Sequence, residues 1–171
     1  MDEILEDMNI VLIGMPGVGK STSGVLVAKL LSRDFIDTDV YIQAREGKRL
    51  QEIIDSQGLE HFCSLEEENI LSLNCKGFVI ATGGSVPYSE TAMEHLKKNG
   101  IAVYLKLPLE TLKKRIDNMQ SRGIVMENGE TLETLMNERA PLYEKYADVT
   151  VDCRGLGHEE VAYAVVENVT G

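Results

Sequence analysis

The sequence predicts an open α/β fold on a parallel sheet, and three observations predict it. Short apolar runs alternate with helical patterns along the chain. The runs lack the in-and-out alternation of a half-exposed strand, which points to strands buried on both faces. The first run also passes through a glycine-rich turn straight into a helix. Asn9 to Gly14 reads as the first strand, centred on Ile10-Val11-Leu12-Ile13. The turn Gly14-Met15-Pro16-Gly17-Val18-Gly19-Lys20-Ser21-Thr22 follows it. A helix from Lys20 to about Ser32 sets Val25, Ala28 and Leu31 on a broad apolar face that covers the sheet. Phe35 to Asp37, Gly77 to Thr82, Ile101 to Leu107 and Asp148 to Asp152 read as the remaining strands, with helical segments between them. Asn118 to Glu130 lacks apolar periodicity and contains Gly123 and the turn dipeptide Asn128-Gly129. A loop of that length between two helices is commonly a lid.

At 171 residues and 43% hydrophobic content, one domain spanning 1–171 is expected, with no internal repeat and no low-complexity linker. Lys and Arg number 17 against 28 Asp and Glu, a formal charge of −11. Phosphate-rich partners would be repelled, so neither nucleic acid nor an anionic membrane is expected as a partner. The first residues, Met1-Asp2-Glu3-Ile4-Leu5-Glu6-Asp7, are acidic where a signal peptide is basic, and no apolar stretch approaches a membrane span. A cytoplasmic monomer is the expectation. Cys63, Cys75 and Cys153 are an odd count without C-x-x-C spacing, which suggests neither a disulfide framework nor a zinc site.

The turn matches G-x-x-x-x-G-K-[ST], the pattern of a phosphate-binding loop. Its glycines let the backbone wrap round the phosphates, the amide N–H groups point inward, and the helix opening at Lys20 adds the positive end of its dipole. Gly14, Pro16, Gly17, Val18, Gly19 and Thr22 would therefore cradle a nucleoside triphosphate. Lys20 would reach its β- and γ-phosphates, and the Ser21 hydroxyl would ligate Mg²⁺. Asp37 and Asp39 close the second strand, where period two puts both carboxylates on one side. One would hold Mg²⁺ and the other would accept a proton from an attacking hydroxyl, unless Asp39 only caps the next helix. Thr82-Gly83-Gly84-Ser85 closes the third strand at the same edge, and its glycines permit close approach of a ligand.

Arg139 is more informative. Leu132, Leu135, Met136 and Arg139 recur at i, i+3, i+4 and i+7 of one helix, so a guanidinium sits on the core-facing stripe. Burying it requires an anion, either a carboxylate or phosphate of a ligand or an internal acid, unless the side chain snorkels to solvent. Arg122 in the lid would close over the transferring phosphate or be an ordinary solvated charge, and Arg115 would stack on adenine or lie solvated. Asp55-Ser56-Gln57-Gly58 formally fits the D-x-x-G of a nucleotide-dependent switch, but no strand pattern precedes it and no N-K-x-D occurs.

Together the phosphate loop, Asp37-Thr38-Asp39, Phe62-x-x-x-Glu66, Ala81-Thr82-Gly83-Gly84, Arg122 and Glu138-Arg139-Ala140-Pro141-Leu142-Tyr143 resemble shikimate kinase, in order over nearly the whole chain. The resemblance implies a five-stranded parallel sheet in the order 2-3-1-4-5, with ATP and Mg²⁺ as cofactors and aromatic amino acid biosynthesis as the setting. It also implies that Asp37 holds the metal through water, Asp39 engages the acceptor hydroxyl, Gly83 and Gly84 line the acceptor pocket, Arg139 binds the acceptor carboxylate and Arg115 faces adenine. Three positions depart from the family pattern. Cys63 stands where the family carries a second carboxylate-binding arginine, Ser85 replaces a third glycine, and Arg122-Gly123-Ile124-Val125 replaces the lid's R-P-L-L. The expected activity is therefore transfer of a phosphoryl group from ATP to a small-molecule hydroxyl, shikimate first. A same-fold kinase for another polyol, sugar or hydroxy acid and a non-catalytic nucleotide-binding protein are the alternatives.

Overall fold

The computed structural model describes residues 7–117 and 130–171. β1 (Asn9–Ile13) leads into α1 (Lys20–Leu31), and β2 (Phe35–Asp37) is followed by α2 (Thr38–Glu46), α3 (Leu50–Gln57) and α4 (Leu59–Leu71). β3 (Val79–Ala81), a single 3₁₀ turn (Val86–Tyr88), α5 (Glu90–Lys98) and β4 (Gly100–Lys106) come next. α6 (Leu109–Asp117), α7 (Leu132–Tyr146), β5 (Val149–Asp152) and α8 (His158–Thr170) complete the order. The five strands form one parallel sheet in the order β2-β3-β1-β4-β5, as the resemblance implied.

Burial explains the missing alternation, since every residue of β1 and β3 is buried and helices cover both faces. α8 packs Val161, Ala162 and Val165 toward the core and lies against α1. The helical face expected for α1 is corrected in one respect. Val25 is half exposed, and Ser23, Gly24, Val27 and Ala28 are the buried positions. A smaller cluster of Ile42, Leu50, Ile53 and Phe62 sits among α2, α3 and α4. Phe62 is fully buried there, which fixes the rotation of α4 and so the direction of Glu66 one turn later.

A second correction concerns Asp39, which is not on the strand. β2 stops at Asp37, whose side chain accepts hydrogen bonds from Asp39 N (3.0 Å) and Val40 N (3.2 Å), so Asp37 is the helix cap. That cap turns the chain into α2 and leaves Asp39 in its first turn. Asp55-Ser56-Gln57-Gly58 ends α3 and is no switch loop after a strand. The expected lid, with Arg122, Gly123, Ile124 and Val125, lies outside the described residues except for Glu130. Among the described residues no helix is long and apolar enough to cross a membrane.

Parallel pairing places the C-terminal ends of four strands on one edge. Asp37 pairs with Ala81, Leu12 with Ala81 and Ile13 with Tyr104. The glycine turn, Asp37 and the Thr82-Ser85 segment therefore all emerge together, at the edge where open α/β sheets take their ligands.

Candidate active site

The turn after β1 has the backbone its glycines were expected to provide. Gly14 and Gly19 lie at φ 144° and 102°, and a Cβ at Gly14 would fall 2.6 Å from Leu105 O. Only glycine fits there without strain. Lys20 opens α1 and is 8% exposed; its ammonium group donates to Gly14 O (2.6 Å) and Met15 O (3.0 Å), which holds it at the turn. Burial lowers its pKa to about 8, against the pull of Asp39 and Asp37, while Arg139 adds to the lowering. The Ser21 hydroxyl donates to Asp37 Oδ2 across to the end of β2. These two oxygens, expected to serve one metal ion, are thus in contact.

On the acceptor side, Gly83 N donates to Thr38 Oγ1 (3.0 Å), which ties the third strand's turn to the start of α2. A Cβ at Gly83 would lie 2.5 Å from Glu66 Oε1 and 2.8 Å from Asp39 Oδ1, so two carboxyl groups face this glycine. A Cβ at Gly84 would lie 2.9 Å from Arg139 Nη1 and 3.1 Å from Pro16 Cδ. The two glycines thus form a floor shared by α2, α4, α7 and the phosphate loop. Arg139 is 3% exposed, its guanidinium lies 5.3 Å from the Tyr88 ring centre, and its Nε donates to Tyr88 Oη at 3.4 Å. Tyr143 Oη fixes the floor from below by donating to Gly84 O (2.7 Å).

Burial, reinforced by Asp37 and opposed by Lys20, raises Asp39 to about 6. That value leaves it mostly ionised at neutral pH yet basic enough to take a proton. On the nucleotide side, Arg115 Nη1 donates to Val18 O (3.0 Å) and borders Gly19. Of the predicted site residues, Gly14, Pro16, Val18, Gly19, Lys20, Ser21, Asp37, Asp39, Gly83, Gly84, Arg115 and Arg139 make these contacts at the edge, and Arg122 falls outside the described residues.

Three residues absent from the expected set also border the candidate site. His158, at the start of α8, stands 2.8 Å from a Cβ placed on Gly19, and its Nδ1 is 3.4 Å from Ser23 Oγ. Tyr88 carries Arg139 on its ring, as described above. Glu66 is 4% exposed and accepts a hydrogen bond from Ser85 Oγ at its Oε2 (2.7 Å). Glu66 was legible from the signal that singled out Arg139, because Phe62, Glu66, Asn69 and Ile70 share the buried stripe of α4. No signal in the sequence pointed to His158 or Tyr88, which reach the site through long-range packing.

Burial raises Glu66 from 4.5 to about 7, helped by Asp39, while the Ser85 hydrogen bond and Arg139 pull it down. A carboxyl whose folded pKa is raised contributes stability below its unfolded pKa, and that contribution is lost as pH rises through the folded value. At about 1.4 kcal/mol per pH unit, the ionised form above pH 7 costs about 3 kcal/mol. Glu66→Gln keeps an acceptor for Ser85 and removes the charge. It should raise the melting temperature at pH 8.5, with the gain vanishing toward pH 4.5; an equal gain at both values would refute the assignment.

A family model described as shikimate kinase matches residues 16–170 of the chain. The chain is 40% identical over 162 residues to a shikimate kinase of Thermodesulfovibrio yellowstonii, covering 93% of each. It is 36% identical over 169 residues to human threonine synthase-like 1, covering 97% of this chain and 23% of that one. Among solved structures it resembles the shikimate kinase of Acinetobacter baumannii in complex with shikimate. There the TM-score is 0.86 and the identity 32%, with 95% of this chain and 92% of that one covered.

Proposed function

The chain belongs to the shikimate kinase family, and from that premise we propose that it transfers the γ-phosphoryl group of ATP to a hydroxyl of shikimate, giving shikimate 3-phosphate and ADP. The observation that carries this reading is the two-glycine floor at Gly83 and Gly84, where Asp39, Arg139 and Pro16 of the phosphate loop converge. One face of that floor meets the nucleotide, and the other meets an acceptor bearing a hydroxyl and a carboxylate.

Gly14, Pro16, Gly17, Val18, Gly19 and Thr22 wrap the triphosphate, and Lys20 neutralises charge on the β- and γ-phosphates. Arg115 and His158, which border Gly19, face the adenine. Asp39 orients the attacking hydroxyl and takes its proton, while Arg139 receives the carboxylate and Arg122 covers the transferring group. Ser21 and Asp37 fit Mg²⁺, since they bring two hard oxygen donors into contact beside the phosphate loop. When bound, the ion would neutralise charge on the phosphate oxygens. The working form is a single domain, a monomer, in the cytoplasm.

Arg139→Lys tests the acceptor assignment. The lysine retains the charge and loses the planar two-pronged contact, so the KM for shikimate should rise at least tenfold, with kcat and the KM for ATP changing far less. An unchanged KM in a coupled ADP-release assay would place Arg139 on an internal acid instead.

A further inference from the structure

α4, α5 and the 3₁₀ turn enclose a cleft of about 260 Å³, lined in part by Cys63, Glu66, Glu67, Ser85 and Tyr88. It adjoins the glycine floor through Glu66 and Ser85. Within it Glu67 is engaged by Ser89, whose hydroxyl donates to Oε2. Glu66 is different, because its Oε1 is buried and has no hydrogen-bond partner among the described residues, while Ser85 donates to Oε2. That orphaned oxygen faces Gly83 beside Asp39 Oδ1. A buried acid with an unmet oxygen calls for a donor, and an ionised one calls for a cation. No arginine answers it from α4, where Cys63 occupies the preceding turn.

The ionisable groups that meet the two glycines are Asp39, Glu66 and Arg139. Their complement is a molecule with a hydroxyl, an ammonium group and a carboxylate. A neutral hydroxyl would give Glu66 one hydrogen bond, whereas an ammonium group brings up to three donors together with a positive charge that favours the ionised carboxyl.

We propose that this site also phosphorylates a small hydroxy-amino acid, with Glu66 holding the ammonium group, Arg139 the carboxylate and Asp39 the hydroxyl. The inference rests on the kinase reading above and extends its acceptor range. In the transfer, the amino acid's hydroxyl oxygen forms a bond to the γ-phosphorus. The bond from that phosphorus to the β,γ-bridging oxygen breaks, ADP leaves with the electron pair, and the hydroxyl proton passes to Asp39. The products are an O-phosphoamino acid and ADP.

The test measures ATP-dependent ADP release by the full chain with shikimate, L-serine, L-homoserine and 4-hydroxybutyrate, the last being homoserine without its amino group. At least one amino acid should be turned over, and homoserine should exceed 4-hydroxybutyrate at least tenfold in kcat/KM. Glu66→Gln should lower kcat/KM for the amino acid at least tenfold more than for shikimate. Cys63→Arg, which places a guanidinium one turn from Glu66, should abolish amino-acid turnover and lower the KM for shikimate more than tenfold. Turnover of shikimate with none of either amino acid overturns this inference and leaves the shikimate reading standing. Turnover of an amino acid without shikimate supports it and overturns the shikimate reading. An equal loss for both acceptors in Glu66→Gln overturns it, since Glu66 would then serve only to hold the Ser85 turn.

Discussion

Lys20→Ala should reduce turnover by about 10³-fold or more, the upper range for losing one preorganised charge donor at a transferring group. The fold should survive. Among the described residues the lysine's hydrogen bonds go to the carbonyls of Gly14 and Met15, and its burial lowers its pKa to about 8, so removing the ammonium group relieves a desolvation cost. Circular dichroism and the melting curve should therefore stay close to wild type while transfer disappears. Turnover within tenfold of wild type would refute the phosphate-loop assignment.

Asp39→Asn should lower kcat by about 10² or more, the usual scale for a lost general base. Asp37 rather than Asp39 caps α2 and touches Ser21, so ATP affinity should change little. The pH profile adds a second readout. Asp39 is raised to about 6 by burial, so wild-type kcat/KM should fall as pH drops below about 6, and that limb should be missing in the variant. If ATP affinity collapses while turnover of bound ATP persists, Asp39 is the metal ligand and the division of labour with Asp37 is reversed.

The fold was legible because its strongest determinants are local. A glycine-lysine turn between an apolar strand and a helix has few other uses, and strands buried on both faces lose their alternation. Strand ends were legible to within a residue or two. Asp39 was misplaced onto the strand because period two continues on paper past Asp37. In the structure Asp37's own carboxyl captures two backbone N–H groups and starts a helix. Val25 was assigned inward because the apolar stripe of α1 is broad, whereas Ser23 and Gly24 take the buried positions. Burial of Arg139 followed from helical spacing alone, and the same reasoning applied to α4 would have singled out the buried Glu66. The pairing of Ser85 with Glu66 joins positions 19 apart through two separate elements and leaves no periodic trace.

The central claim is direct transfer from ATP to an acceptor hydroxyl at the Gly83-Gly84 floor. Phosphorus NMR of the full chain with ATP, Mg²⁺ and shikimate tests it most directly. A new phosphomonoester resonance should grow in step with ADP, one for one, and neither should appear with Lys20→Ala. ADP accompanied only by inorganic phosphate, or no ADP with any hydroxyl acceptor supplied, would contradict it.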